Sequence, residues 1–442
     1  MPVPPCDKPL GRLMFGRIAE SAVRQGTATV WLAWVGLIVT ALLLTSCERR
    51  EIVRPTPQMD VESRFWMRVL LIRKARECSI AAAGPMYLSR SADLGAPVGG
   101  PASTALTSPT KVTLANGQFV FNTVGQPGPH ITISPGPPHV FALNNQKYRG
   151  KLALTVNPDG KTFSAVNLVP LEPYLAGVVG AEMPDYWEIE ALKAQTIAAR
   201  TYCLYTKQRF GANRAWDVSN TQTSQVYRGI NAESARVWKA VTSTHGMVLV
   251  SGSDQTTETG LFPAYYSAIC GGHTEDCKSV FGETFGPLKP VPCPYCKDVA
   301  RLGLFFWPMA QFDQATVTKQ LLSRYPSLEA LDQIESLVVA EESHHGAITR
   351  LTRIRLVGTT GKTDNLRGED LRLALDPTGR KIQSTVCQIV PWGDGWAFLS
   401  GRGWGHGVGM CQHGAQGMAR QGRKAEEILQ HYYPGSAIKS VY

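Results

Sequence analysis

Glu182, in the apolar run Val178-Val179-Gly180-Ala181-Glu182-Met183-Pro184, is the side chain in this sequence best suited to carrying a proton. Its neighbours offer few polar atoms to solvate a carboxylate, and desolvation favours the protonated acid by as much as several pKa units. A helix is expected to open at Pro184, and its N-terminus would favour the carboxylate by ~1 kcal/mol or less, so desolvation is the larger effect. The plainer alternative is a glutamate that caps that helix. Far downstream, LSGRGWGHGVGMCQHGAQGMARQGRKAEEILQHYYPGSAI (399–438) sets Gly401, Gly403, Gly405, Gly407 and Gly409 around His406, with His413 just beyond. Glycine tolerates positive φ and close approach of another surface, so this run is expected to floor a cleft beneath an extended ligand.

A second set of reactive side chains lies in Cys270-Gly-Gly-His273-Thr-Glu-Asp-Cys277, followed by Cys293-Pro-Tyr-Cys296. A CxxC beside another Cys/His group supplies ligands at tetrahedral zinc spacing. The expected set is Cys270 or His273 with Cys277, Cys293 and Cys296, a closed structural site. In an oxidising compartment the same residues would instead pair as disulfides, Cys270 with Cys296 and Cys277 with Cys293. Cys203, Cys387 and Cys411 read as small buried hydrophobes, and Cys78 has no assigned role.

These groups need a scaffold. Residues 48–110 hold a basic stretch whose Met67, Val69 and Leu71 alternate like a strand, then an Ala/Gly/Pro/Ser-rich tether. Residues 111–169 read as a small β subdomain, with turns at Asn116-Gly117 and Asp159-Gly160. Residues 170–442 form the main domain. It begins with a long helix after Pro184, whose Trp187, Leu192, Ile197, Tyr202 and Tyr205 share a face. Further helices are expected over 232–243, 312–336 and 371–375, and strands over 348–357 and in WAFLS. The class is α+β, with strands and helices segregated.

The 45 Lys and Arg against 35 Asp and Glu give a net charge of +10. The basic residues are scattered, which argues against nucleic acid and suits a loose attraction to an anionic polymer. Lys8, Arg12, Arg17 and Arg24 precede the apolar run Trp31–Leu44, which suits a signal segment better than a membrane span. The run ends in Leu44-Thr45-Ser46-Cys47, similar to a bacterial lipobox, so export and lipid anchoring at Cys47 are expected, with residues 1–47 as the signal segment.

The segment LEPYLAGVVGAEMPDYWEIEALKAQTIAARTY (171–202), together with the tail from Gly403 to Tyr433, resembles the SpoIID/LytB family. That family comprises the stage II sporulation protein D lytic transglycosylases and the related amidase enhancers. The resemblance covers roughly residues 111–442 and implies a SpoIID-like catalytic domain. It implies that Glu182 is the acid/base cleaving the bond between N-acetylmuramate and N-acetylglucosamine, preferably in strands stripped of stem peptides, with a 1,6-anhydro product. It also implies that Arg200, Thr201, Gln225, Tyr227 and Ser267 line the groove. His406, Gln412 and His413 would then bond sugar hydroxyls and acetamido groups, and Trp404 would stack on a pyranose. Zinc near the groove and a cell-wall amidase partner are further implications. Hydrolysis would need a second carboxylate, for which Asp185, Glu188 and Glu275 are the nearest names, whereas transglycosylation needs one.

Overall fold

The computed structural model describes residues 65–89, 104–126, 128–252 and 260–442. The signal segment, Cys47 and residues 90–103 of the tether lie outside the described residues, and the rest of the expected tether is not loose but contributes strands Met86–Ser89 and Thr104–Leu106. The basic stretch forms strand Trp66–Ala75, as the spacing of Met67, Val69 and Leu71 suggests, with Met67 and Val69 buried and Leu71 half-buried, so the β region starts at Trp66 and not at Lys111. Trp66–Ala75 is flanked by Phe163–Pro170 and, in parallel, by Val218–Ser219. A seven-stranded sheet continues through Lys151–Val156, His130–Pro135, Met86–Ser89 and Thr104–Leu106. At Glu77 the chain passes into a second, six-stranded sheet, where Glu77–Ala81 pairs with Thr110–Ala115 and Val140–Leu143. The hairpin at Asn116-Gly117 has both turn residues at positive φ, 50° and 72°, as a two-residue type I′ connection demands. Met67, Val69, Phe119, Phe141, Phe163 and Val169 fill the core of this β region.

Helix α1 (Leu171–Glu182) starts at the end of strand Phe163–Pro170, with Pro173 in its first turn. Two glycines inside it trade helix propensity for close packing. A Cβ on Gly180 would lie 1.9 Å from the Ala232 carbonyl oxygen, and one on Gly177 would lie 2.5 Å from the Tyr227 ring. Helix α2 (Ile189–Phe210) begins at Ile189, five residues later than the sequence suggests, since Pro184–Trp187 is closed as a turn by Trp187 N–H donating to the Pro184 carbonyl. It is the buried centre of the main domain, with Ala191, Ala194, Ala198 and Ala199 letting its neighbours approach. Helix α3 (Ala235–Ser243) is capped by the Ser234 hydroxyl, which accepts from Val237 N–H.

Residues 306–399 carry a hydrophobic core of their own, built from Val317, Leu321, Ile334, Ile354, Leu356, Leu371 and Phe398. The helix expected over 312–336 is α-helical over α4 (Gln314–Arg324), with a separate 3-10 turn at Pro326–Leu331 before strand Ile334–His345. Asp313 caps α4, and Tyr325, held off the helical region by Pro326, ends it. A hairpin of Ile334–His345 and Ile348–Gly358, with Thr363–Arg367 at its edge, and helix α5 (Gly368–Leu375) complete this lobe. The chain then returns through Gly401–Arg402 to the glycine run, α6 (Gln412–Arg420) and α7 (Ala425–Tyr432). The α+β class stands, with an inserted lobe that periodicity alone does not separate.

Candidate active site

Glu182 is the last residue of α1, followed by extended Met183. The expected helix N-terminus beside it is therefore a helix C-terminus, whose partial negative charge works with desolvation instead of against it. The residue is half-buried, leaving an approach for a ligand. Burial pushes its carboxyl from 4.5 up to about 7, opposed by hydrogen bonds from Val226 N–H and from the Gln412 side chain. The Val226 N–H donates to Glu182 Oε1 at 2.7 Å. No second carboxylate is among the groups that set its proton affinity.

Gln225 aims that Val226 N–H. Its Oε1 accepts from the Tyr174 hydroxyl at 2.8 Å, and its Nε2 donates to the Ala199 carbonyl at 3.2 Å and the Tyr266 hydroxyl at 3.0 Å. Tyr227 points away from the carboxyl into the interior, where its hydroxyl donates to Asn167 Oδ1 at 2.9 Å. Arg200 is fully buried and forms a bidentate pair with Glu172, at 2.9 and 2.7 Å, and also donates to the Met247 carbonyl. Thr201 donates to the Ile197 carbonyl and accepts from Leu249 N–H, both in the interior. These two residues join α1, α2 and strand Met247–Ser251. Ser267, next to Tyr266, has a buried Oγ without a hydrogen-bond partner.

The tail reaches the carboxyl at Gln412. Met410–Cys411 pairs in parallel with Tyr266–Ser267, which sets the first turn of α6 beside the end of α1. Gln412 Nε2 also donates to Gln195 Oε1, at 3.4 Å, inside the domain. His413 contacts the Ala268 carbonyl through Nδ1 at 3.0 Å and meets Trp187 edge-on, and burial lowers its pKa. His406 lies against Tyr265 and Phe281 and accepts from Val408 N–H at Nδ1. Burial takes its pKa down to about 4, and the Tyr266 backbone engages the ring as well, so the imidazole is neutral and ties the loop together. Half-buried Trp404 is held by two backbone bonds to Ile269.

The glycines correct an expectation. Positive φ does recur at Gly403, Gly405, Gly407 and Gly409, but what each would strike with a Cβ is protein. The obstacles are the Ile269 carbonyl at 2.6 Å, Ser267 Cβ at 2.9 Å, the Arg350 guanidinium at 2.5 Å and the Tyr265 carbonyl at 2.0 Å. The run is a seam threaded between segment 265–271 and the inserted lobe, rather than a floor under a ligand.

The cysteines are also regrouped. Cys270, Cys293, Cys296 and Cys411 are all buried, with sulfurs within 4.8 Å of one another. His273 stacks on His345 instead, and Cys277, buried, opens a short helical turn away from the quartet. Cys411 thus replaces both and is more than a small hydrophobe. The pairing of Cys277 with Cys293 is not formed, and all eight described cysteines are free thiols. The quartet fits a tetrahedral metal. Zinc–sulfur bonds of about 2.3 Å place sulfurs about 3.8 Å apart, and Cys270 Sγ lies 3.8 Å from Cys296 Sγ. Cys411 Sγ further accepts from the N–H groups of Cys270 and Gly414, as thiolate ligands do.

The three hydrolytic alternatives sit apart in character. Asp185 and Glu188 are exposed. Glu275 is buried and accepts from the Ser343 hydroxyl, with Arg350 and His345 at 3.6 and 3.5 Å.

A helical acid, an amide-lined wall and a glycine seam in this order define a class also visible by comparison. The family model described as SpoIID, stage II sporulation protein, matches residues 159–250. An uncharacterized protein of Brachyspira hyodysenteriae is 32% identical over 300 residues, 67% of this chain and 74% of the relative. Stage II sporulation protein D of Bacillus subtilis is 30% identical over 289 residues, 62% of this chain and 76% of the relative. A Bacillus subtilis protein named amidase enhancer is 28% identical, and there the match spans 60% of this chain but only 40% of the relative. The chain belongs to the SpoIID family.

Proposed function

We propose that this protein is a peptidoglycan lytic transglycosylase acting through Glu182. The observation that carries the reading is a single half-buried carboxyl raised to about 7, held by neutral donors and without an acidic partner. Such a group is protonated often enough near neutrality to donate, and basic enough afterwards to accept. Glu182 gives its proton to the glycosidic oxygen as the bond from the muramic acid C1 breaks. The same carboxylate then takes the proton of the C6 hydroxyl as that oxygen bonds to C1, closing the 1,6-anhydro ring and restoring the acid. No water is consumed, so one carboxyl suffices. Purified protein on strands stripped of stem peptides should release anhydro-muramyl ends, one water lighter than hydrolysed ends, and Glu182→Gln should release them at least about a hundredfold more slowly.

The relative named amidase enhancer favours a second reading, a binder that stimulates a cell-wall amidase without cutting glycan itself. Amidase stimulation that persists in Glu182→Gln, with no anhydro product from the wild type, would select it. In either case the protein is proposed to be exported and lipid-anchored through Cys47. The proposed occupant of Cys270, Cys293, Cys296 and Cys411 is a structural zinc ion, whose chemistry there would be to cross-link three segments of the chain. Metal analysis should find one zinc per chain, lost in Cys411→Ser and kept in Cys277→Ser; the reverse would restore the set expected from spacing.

A further inference from the structure

The six-residue link between α1 and α2, Met183 to Glu188, is unusually well fastened for a surface connection. Trp187 N–H closes a turn onto the Pro184 carbonyl at 3.1 Å. The Arg236 guanidinium, from α3, donates to two of the turn's carbonyls, Asp185 at 3.0 Å and Trp187 at 2.7 Å. From the opposite side, Gln416 Oε1 of α6 accepts from Glu188 N–H at 2.8 Å. The apolar side chains at its ends are inside, Met183 at 1% and Trp187 at 6% exposed, the latter packed on His413. Tyr186, at the corner of the turn, is the exception, with 73% of its surface exposed. Both flanking residues have their carbonyls clamped by Arg236 while the ring is left open to solvent.

We propose that Tyr186 is a sugar-stacking subsite, a flat platform on which a pyranose ring of the glycan rests beside Glu182. Deepening the transglycosylase reading, this proposal rests on it for the identity of the ligand. An aromatic face matches the apolar C–H face of a sugar, and the phenolic hydroxyl is free to bond a ring substituent. Because the turn is fixed beforehand, little conformational entropy is lost when the sugar lands. The placement is constrained by the chain itself. Tyr186 follows Glu182 by four residues, so their Cα atoms lie within roughly 14 Å, a span of a few sugar rings. The link is held by α2, whose Ala191 and Leu192 N–H groups donate to the Glu188 carbonyl, as well as by α3 and α6, and α6 also carries Gln412, a donor to the Glu182 carboxyl.

The test uses the full chain bearing Glu182→Gln, so that strands are bound but not cut, with stripped glycan strands as the probe in a pull-down titration. Adding Tyr186→Ala should weaken binding about tenfold, the scale of one lost aromatic contact, and Tyr186→Phe should restore most of it. In the cutting-competent background, Tyr186→Ala should raise KM with kcat nearly unchanged. Equal affinity of the Ala variant and its parent would overturn the subsite. Absence of binding by the parent would overturn it too. Binding that responds to Tyr186, combined with no anhydro product from wild type, supports the subsite and strikes only at the cutting chemistry.

Discussion

Glu275 and Glu182 both touch the glycine-rich tail, and their surroundings are opposite. Glu275 is 1% exposed, its N–H donates to the Gly407 carbonyl, and its carboxyl faces the Arg350 guanidinium, the His345 ring and the Ser343 hydroxyl. Glu182 meets the tail at Gln412 and faces an amide and a backbone N–H, with no cation. A buried carboxyl that faces a guanidinium is committed to that pair, and removing either member leaves the other unpaired. One answered by neutral donors keeps its proton available. Glu275 therefore joins the inserted lobe to the main domain, while Glu182 is left to do chemistry, although both are equally acidic letters in the sequence.

The comparison is broken most readily at Glu182. Glu182→Gln keeps the shape and the Val226 contact but has no proton to transfer, so turnover should fall by about a hundred- to ten-thousandfold with folding intact. Unchanged product formation would assign the chemistry elsewhere. Glu275→Gln should do the reverse. It leaves Arg350 buried beside a neutral amide, at a cost of about 3–5 kcal/mol read from the denaturant midpoint, with turnover per folded molecule unaltered. A loss of turnover without a loss of stability would merge the two roles.

A subtler contrast is the pH dependence of stability. The folded chain holds the Glu182 proton more tightly than the unfolded chain, since the carboxyl rises from 4.5 to about 7. Its contribution to stability must then decline as pH rises between those values, because there the native state binds more protons than the unfolded one. Glu182→Gln should erase that decline and gain on the wild type at pH 8; a variant that loses ground there would contradict the buried, uncompensated carboxyl. The smallest effect is expected from Gln412→Leu. Losing one donor to the carboxylate should move the alkaline limb of the rate profile upward by under about one pH unit, the worth of a single net hydrogen bond.

Local chemistry was legible in the sequence where it depends on neighbours along the chain. Asn116-Gly117 and Asp159-Gly160 form their turns, and Leu371 lies in a short helix. What depends on non-local contact was hidden. Cys411 looks apolar in isolation and joins Cys270 only because Met410–Cys411 pairs with Tyr266–Ser267. The glycines advertise close approach without naming the partner, which is the chain's own strand and Arg350. Gln195, which accepts from Gln412 in the interior, left one signal, an uncharged polar residue on a face otherwise made of Ala191, Ala194 and Ala198. The lobe of 306–399 escaped because the lengths of its strands and helices are ordinary, and only its separate core sets it apart.

The account turns on the proton affinity of one carboxyl, and an NMR titration of carboxyl-labelled glutamate, with Glu182 assigned by its absence in Glu182→Gln, reads it directly. A midpoint near pH 7 is the predicted result. A midpoint at 4.5, the ordinary value for a solvated glutamate, would contradict it.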